Sequence, residues 1–149
     1  MMIEKLTEIL KSSGADEWQI NDTVTSAWEF YFIGHRLDQN RVRDVDHVNL
    51  TVYKRSEDGQ TIGYASAEIR PGSSEEEMKK QVASLVERAK LVHNRNYELT
   101  EPQAVEPLDC SGASLEKTAG DFISLMENIE ETETEDINSY EIFVDSRTE

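Results

Sequence analysis

Between Val48 and His93 the sequence alternates, turns, alternates again and then changes period, and few folds accept that order. Asn49-Leu50-Thr51-Val52-Tyr53 carries the β-branched and aromatic residues that suit a pleated surface. Ser56-Glu57-Asp58-Gly59 reads as a tight turn, because Gly59 can take the positive φ that hairpin turns need and Asp tolerates the position before it. Gln60 to Ile69 returns as a second strand, with Gly63, Ala65 and Ala67 on one parity and Ile62, Tyr64 and Ser66 on the other. Pro71-Gly72 ends it, since proline cannot donate to a ladder. Ser73 or Ser74 then caps a helix, and Glu76 or Glu77 three residues on completes a capping box. Met78, Val82, Leu85, Val86, Ala89 and Val92 fall on one stripe, which predicts a helix over 75–93 lying on the hairpin before it. This stretch is α+β.

The preceding residues extend the same sheet. Ile3, Leu6, Ile9 and Leu10 share a face of a helix predicted over 2–13, with Gly14 as its natural stop. Trp18, Ile20, Val24, Trp28, Phe30 and Phe32 keep one parity, interrupted by Asp22 and Ser26, which predicts two strands with a bend between those residues. The opposite parity is polar early (Gln19, Asn21, Thr23, Thr25) and mixed later (Glu29, Tyr31, Ile33), so the later part should be covered on both faces. Gly34 to Asn40 reads as a polar connection, and Arg41 to His47 alternates again into the Val48 strand. The expectation is an antiparallel sheet of long strands, covered on one face by the N-terminal helix and the long amphipathic helix.

After Asn94 the periodicity fades, and Pro102 and Pro107 fall in a stretch that reads as a linker. The predicted division is therefore an α+β domain over 1–100, followed over 101–149 by a linker, helix and strand that begin a second α/β unit. Leu115, Ala119, Phe122, Ile123, Leu125, Met126 and Ile129 mark the helix. Glu127 to Asp136 is mostly acid and threonine, the pattern of a solvated helix end or loop. Tyr140, Ile142 and Val144 alternate in a last strand, Ile137 to Val144. A strand with no partner after it predicts a chain that continues past Glu149.

The totals narrow the partners. At 149 residues the chain has room for one domain, or one and part of another. A net charge of −16 excludes most nucleic-acid binders, whose backbone recognition needs a basic face, and argues against anionic membranes. Its plain reading is a solvated exterior; its sharper one is an acidic surface for a basic partner, or a DNA mimic. Cys110 is the lone cysteine, so no internal disulfide can form. Met1-Met2-Ile3-Glu4-Lys5 lacks a basic n-region and an apolar core, and no window approaches the roughly 20 apolar residues of a membrane span. A cytoplasmic location is expected.

Chemistry is sparse. His35, His47 and His93 form no His-Glu-x-x-His or His-Glu-x-x-x-His arrangement, the spacing that puts two imidazoles on one helix face. His35 and His47 with Asp38, Asp44 and Asp46 are the densest group of metal-ligand types. Asp46 and His47 are adjacent, however, and point to opposite faces of a strand, whereas Asp44 and Asp46 share one. His93 suits a helix C-terminus, where its positive charge complements the dipole. Cys110, in Leu108-Asp109-Cys110-Ser111-Gly112, has no histidine nearby in sequence and reads as a small residue rather than a nucleophile. Gly112 and Gly120 are isolated and make no phosphate loop. Trp18, Trp28, Phe30, Tyr31 and Phe32 could stack on bases, but without basic neighbours they read as core. No catalytic, cofactor-binding or metal residue is assigned.

Several landmarks in order carry a resemblance. A helix closes on Ser13-Gly14-Ala15-Asp16-Glu17, long strands follow, and the hairpin ends in Thr61-Ile62-Gly63-Tyr64-Ala65-Ser66. A Ser-Ser-Glu-Glu-Glu helix then runs to Glu87-Arg88-Ala89-Lys90, before Asn94-Arg95-Asn96-Tyr97-Glu98-Leu99. Over residues 2–100, and more faintly over the Ser114 helix and last strand, this resembles the N-terminal domain of the TldD/PmbA (TldE) family, zinc-dependent proteases also described as modulators of DNA gyrase. The resemblance implies a metallopeptidase system that matures or degrades peptides. TldD-like subunits carry a His-Glu-x-x-x-His motif, PmbA-like partners lack it, and the two kinds pair around an internal cavity. That motif lies downstream of the matched region and is absent here, so no catalytic residue carries over and zinc is implied only for catalytic members. The expected role is a scaffold or dimerisation region, as a homo- or hetero-dimer with a family subunit, whose full assembly takes a peptide. Two other readings stand beside it: a free-standing acidic protein-binding module, and a metal-dependent hydrolase using the His35–His47 region.

Overall fold

The computed structural model describes residues 2–33, 36–101, 103–109, 115–128 and 139–148. Helix α1 (Met2–Lys11) leads into strands β1 (Glu17–Ile33), β2 (Arg36–Arg55) and β3 (Thr61–Ile69). Helix α2 (Glu75–Ala89), a two-residue strand β4 (Asn94–Arg95), helix α3 (Leu115–Glu127) and strand β5 (Ser139–Thr148) follow. The sheet is ordered β4-β3-β2-β1-β5, and β1–β5, β2–β3 and β3–β4 pair antiparallel. The fold is α+β, as the alternation and the helical stripes predict. Two compact units divide it: Met1–Thr23 with Asp46–Ala104, and Val24–Val45 with Val105–Glu149.

In the first unit the local chemistry does what its residue types dictate. Ser13 Oγ donates to Leu10 O at 2.8 Å, and Gly14 takes φ +82°, closing α1. Gly59 takes φ +67° in the β2–β3 turn, where Asp58 accepts from Ser56 Oγ at 2.6 Å and from Gln60 N at 3.0 Å. Ser74 caps α2 with the full reciprocal box, its Oγ accepting from Glu77 N and its own N–H donating to Glu77 Oε2 at 2.8 Å. Val48 pairs with Ile69, Leu50 with Ala67 and Val52 with Ala65, which sets one face of the hairpin under the helices. There Leu6, Ile9 and Leu10 of α1 and Met78, Val82, Leu85, Val86 and Ala89 of α2 close a core with Trp18 and Ile20 at its margin. Each fully buried Leu, Ile or Val contributes about 1.5–3 kcal/mol. The small residues of β3 let α2 come close. A Cβ on Gly63 would run into the carbonyl oxygens of Ala89 and Val92, so only glycine fits beneath the last turn.

The second unit contains β1 from Val24, β2 up to Val45, α3 and β5. Strand β5 pairs with β1 from Val24↔Thr148 to Ile33↔Ser139. Phe30 and Phe32 are buried with Ala119 and Met126 of α3, and Trp28, Leu37 and Ile123 pack around them.

The structure corrects the sequence reading in four places. The run from Trp18 to Phe32 is one strand, because Asp22 and Ser26 interrupt the apolar stripe without interrupting the backbone ladder. Residues 36–40, expected in a polar connection, already belong to β2. Helix α2 ends at Ala89, four residues before His93. Val92 N donates back to Ala89 O at 3.2 Å, and the chain then turns so that Asn94 and Arg95 pair with Ile62 and Thr61. The α3 stripe is narrower than expected, with Phe122 and Leu125 exposed. The last strand pairs with β1, which precedes it in the chain.

Candidate functional site

The histidine and aspartate group does not converge. His47 lies on the open face of the first unit's sheet, its Nδ1 2.9 Å from Glu68 Oε1. Asp46 turns the other way, toward Asp22, as adjacent strand residues must. Asp44 accepts from Ser26 Oγ at 2.7 Å, and Asp38 is exposed on β2. His93 is exposed beyond the end of α2. His35 and Cys110 lie outside the described residues. Among the described residues no three His, Cys, Asp or Glu side chains gather closely enough to hold a metal ion. Of the aromatic residues weighed as a stacking platform, Trp18 borders the first core, while Trp28, Phe30 and Phe32 belong to the second.

Three arrangements absent from the sequence reading emerge instead. The first is a tyrosine face. Tyr53 and Tyr64 are directly paired across the hairpin, their ring centroids 6.1 Å apart. Burial, the nearby Tyr97 and Tyr64 hydroxyls and the Glu17 carboxylate together raise the Tyr53 pKa. Arg55 holds this edge together, ion-paired with Glu17 and donating from Nη2 to Tyr97 O at 3.4 Å. Ile62, on the same parity as Tyr64, is fully buried although it lies outside the helix-side core. The tyrosines therefore have a structural task on the face opposite the helices. Tyr64 and Tyr97 nonetheless remain 48% and 42% exposed, enough to meet a partner. The paired tyrosines could have been found by counting outward from the Ser56–Gly59 turn, whereas Tyr97 comes from a segment with no periodicity.

The second arrangement is Glu29, an acidic side chain only 2% exposed. Arg41 Nε donates to its Oε2 at 2.5 Å, Arg43 Nε stands 3.8 Å from its Oε1, and the Tyr31 hydroxyl is 3.5 Å away. An acid inside Trp28-Glu29-Phe30-Tyr31-Phe32, facing a strand that reads Arg41-Val42-Arg43, was the available signal. A carboxylate whose charge is already matched by two guanidinium groups is suited to fixing strands rather than to moving protons.

The third is Asp22 beside Asp46. The neighbouring carboxyl, through a shared hydrogen bond, together with burial and charge repulsion, raises the Asp22 pKa, and its Oδ1 is shut off from solvent with no fixed donor. Asp16 behaves oppositely. Burial alone would raise its pKa, but the Arg55 backbone N–H at 2.7 Å and the Lys54 ammonium at 2.9 Å outweigh that and lower it. None of the three sets pairs a nucleophile with a base.

No helix among the described residues is long and apolar enough to cross a membrane. No family model matches the sequence, and no curated protein matches it. Among solved structures, the chain is similar to a Thermotoga maritima protein named for an unproven role as modulator of a DNA gyrase, at 16% identity and a TM-score of 0.45. That match covers 77% of this chain and 24% of the other, so the chain spans about a quarter of the length of that neighbour.

Proposed function

We propose that the chain is the N-terminal scaffold and dimerisation region of a protein of the TldD/PmbA type, with no chemistry of its own. The observation that carries this reading is the ordered set of landmarks in the sequence, each occupying a structural turning point. Gly14 closes α1, Gly59 turns the hairpin, Gly63 admits α2, and the Ser74–Glu77 box starts that helix. Zinc and the peptide substrate belong, in this reading, to other parts of a cytoplasmic assembly. The dispersal of His47, His93, Asp38, Asp44 and Asp46 is consistent with it. Two measurements on the purified chain test it. Sedimentation velocity should detect self-association or a complex with a TldD-type subunit, and a chain that stays monomeric in both cases removes the dimerisation role. Metal analysis after dialysis should find no stoichiometric zinc, whereas about one zinc per chain, lost on His47→Ala, would restore the hydrolase reading.

The half-exposed tyrosines favour a second reading, an acidic module that docks a protein partner. Tyr64→Ala discriminates, because it should leave any TldD-type complex intact if the scaffold reading holds. It should abolish partner binding, with a loss of stability no larger than the about 0.2–1 kcal/mol of a cross-strand pair, if the module reading holds.

A further inference from the structure

We draw no further inference here: the strongest candidate, the Asp22–Asp46 carboxylate pair where the two long strands leave the first unit, is an acidic cluster with no second feature that points to a ligand.

Discussion

At the residue scale the charged groups differ in what their removal leaves behind. Glu29 is buried while its partner Arg41 keeps a side chain 61% exposed, so deleting the two is not equivalent. Glu29→Met leaves an arginine that water can solvate. Arg41→Met strands a desolvated carboxylate, with only the more distant Arg43 to balance it, and should cost about 3–5 kcal/mol, the range for breaking a buried pair. Urea denaturation of both variants checks the order, and equal losses would show that burial does not govern the pair. The two perturbed aspartates act on stability in opposite directions. Asp16, its folded pKa lowered, contributes fully above its unfolded pKa and loses that contribution as pH falls through the folded value. Asp22, its folded pKa raised, weakens the fold as pH rises through that value and ceases to do so on acidification. Asp22→Asn should therefore stabilise at pH 7 by relieving a like-charge repulsion, on the order of 0.2–1 kcal/mol if it is comparable in size to favourable cross-strand pairs. The gain over the parent should close as pH falls below the folded pKa of Asp22, and a gain independent of pH would contradict the assignment. Very local chemistry was legible beforehand. Gly14, Gly59 and the Ser74–Glu77 box need only neighbours within a few residues. Asp22 was not legible and Glu29 only faintly so, because their environments are assembled from strands about a dozen or more positions apart.

At the scale of elements, periodicity reported burial faithfully in α2 and the hairpin, and less well in α3, where Phe122 and Leu125 are exposed, and in β1, where Val24 and Ile33 are exposed. The stripe from Met78 to Ala89 gave α2 its buried face, and the alternation from Asn49 to Ile69 gave the hairpin its register. The same logic divided β1 in two, because polar residues at Asp22 and Ser26 alter what a strand covers and not whether its backbone is bonded. It also carried α2 to His93, since nothing in Leu91-Val92-His93 forbids a helix. What ends α2 is tertiary. The chain must turn to bring Asn94 and Arg95 onto β3, and Gly63 lets the final turn sit directly on that strand. Gly63→Ala should therefore destabilise by about 3 kcal/mol, the upper end for overpacking, because both obstructing atoms are main-chain oxygens that cannot rotate aside. A loss under about 0.5 kcal/mol in chemical denaturation, as for an ordinary surface change, would mean that the helix end moves freely.

At the scale of the whole molecule the chain crosses between its two units at Thr23/Val24, at Val45/Asp46 and at Ala104/Val105. A division into separately folding pieces near residue 100 is a proposal that has to accommodate those crossings. Cutting there removes α3 from Phe30 and Phe32, so a fragment of residues 1–104 should fold over its first unit and bind a hydrophobic dye through the uncovered phenylalanines. Because β1 and β2 are neighbours in the sheet, the stretch from Val24 to Val45 can be shortened rung by rung, like a telescoping ladder, without rethreading anything. Joining Thr23 to Asp46 through an Asn-Gly turn removes that stretch and leaves every member of the first core in place. Such a chain, ending at residue 104, should unfold cooperatively and bind no dye, and its failure to fold would show that the first unit depends on residues 24–45. The length of that stretch then becomes a variable that can be set separately from the first core.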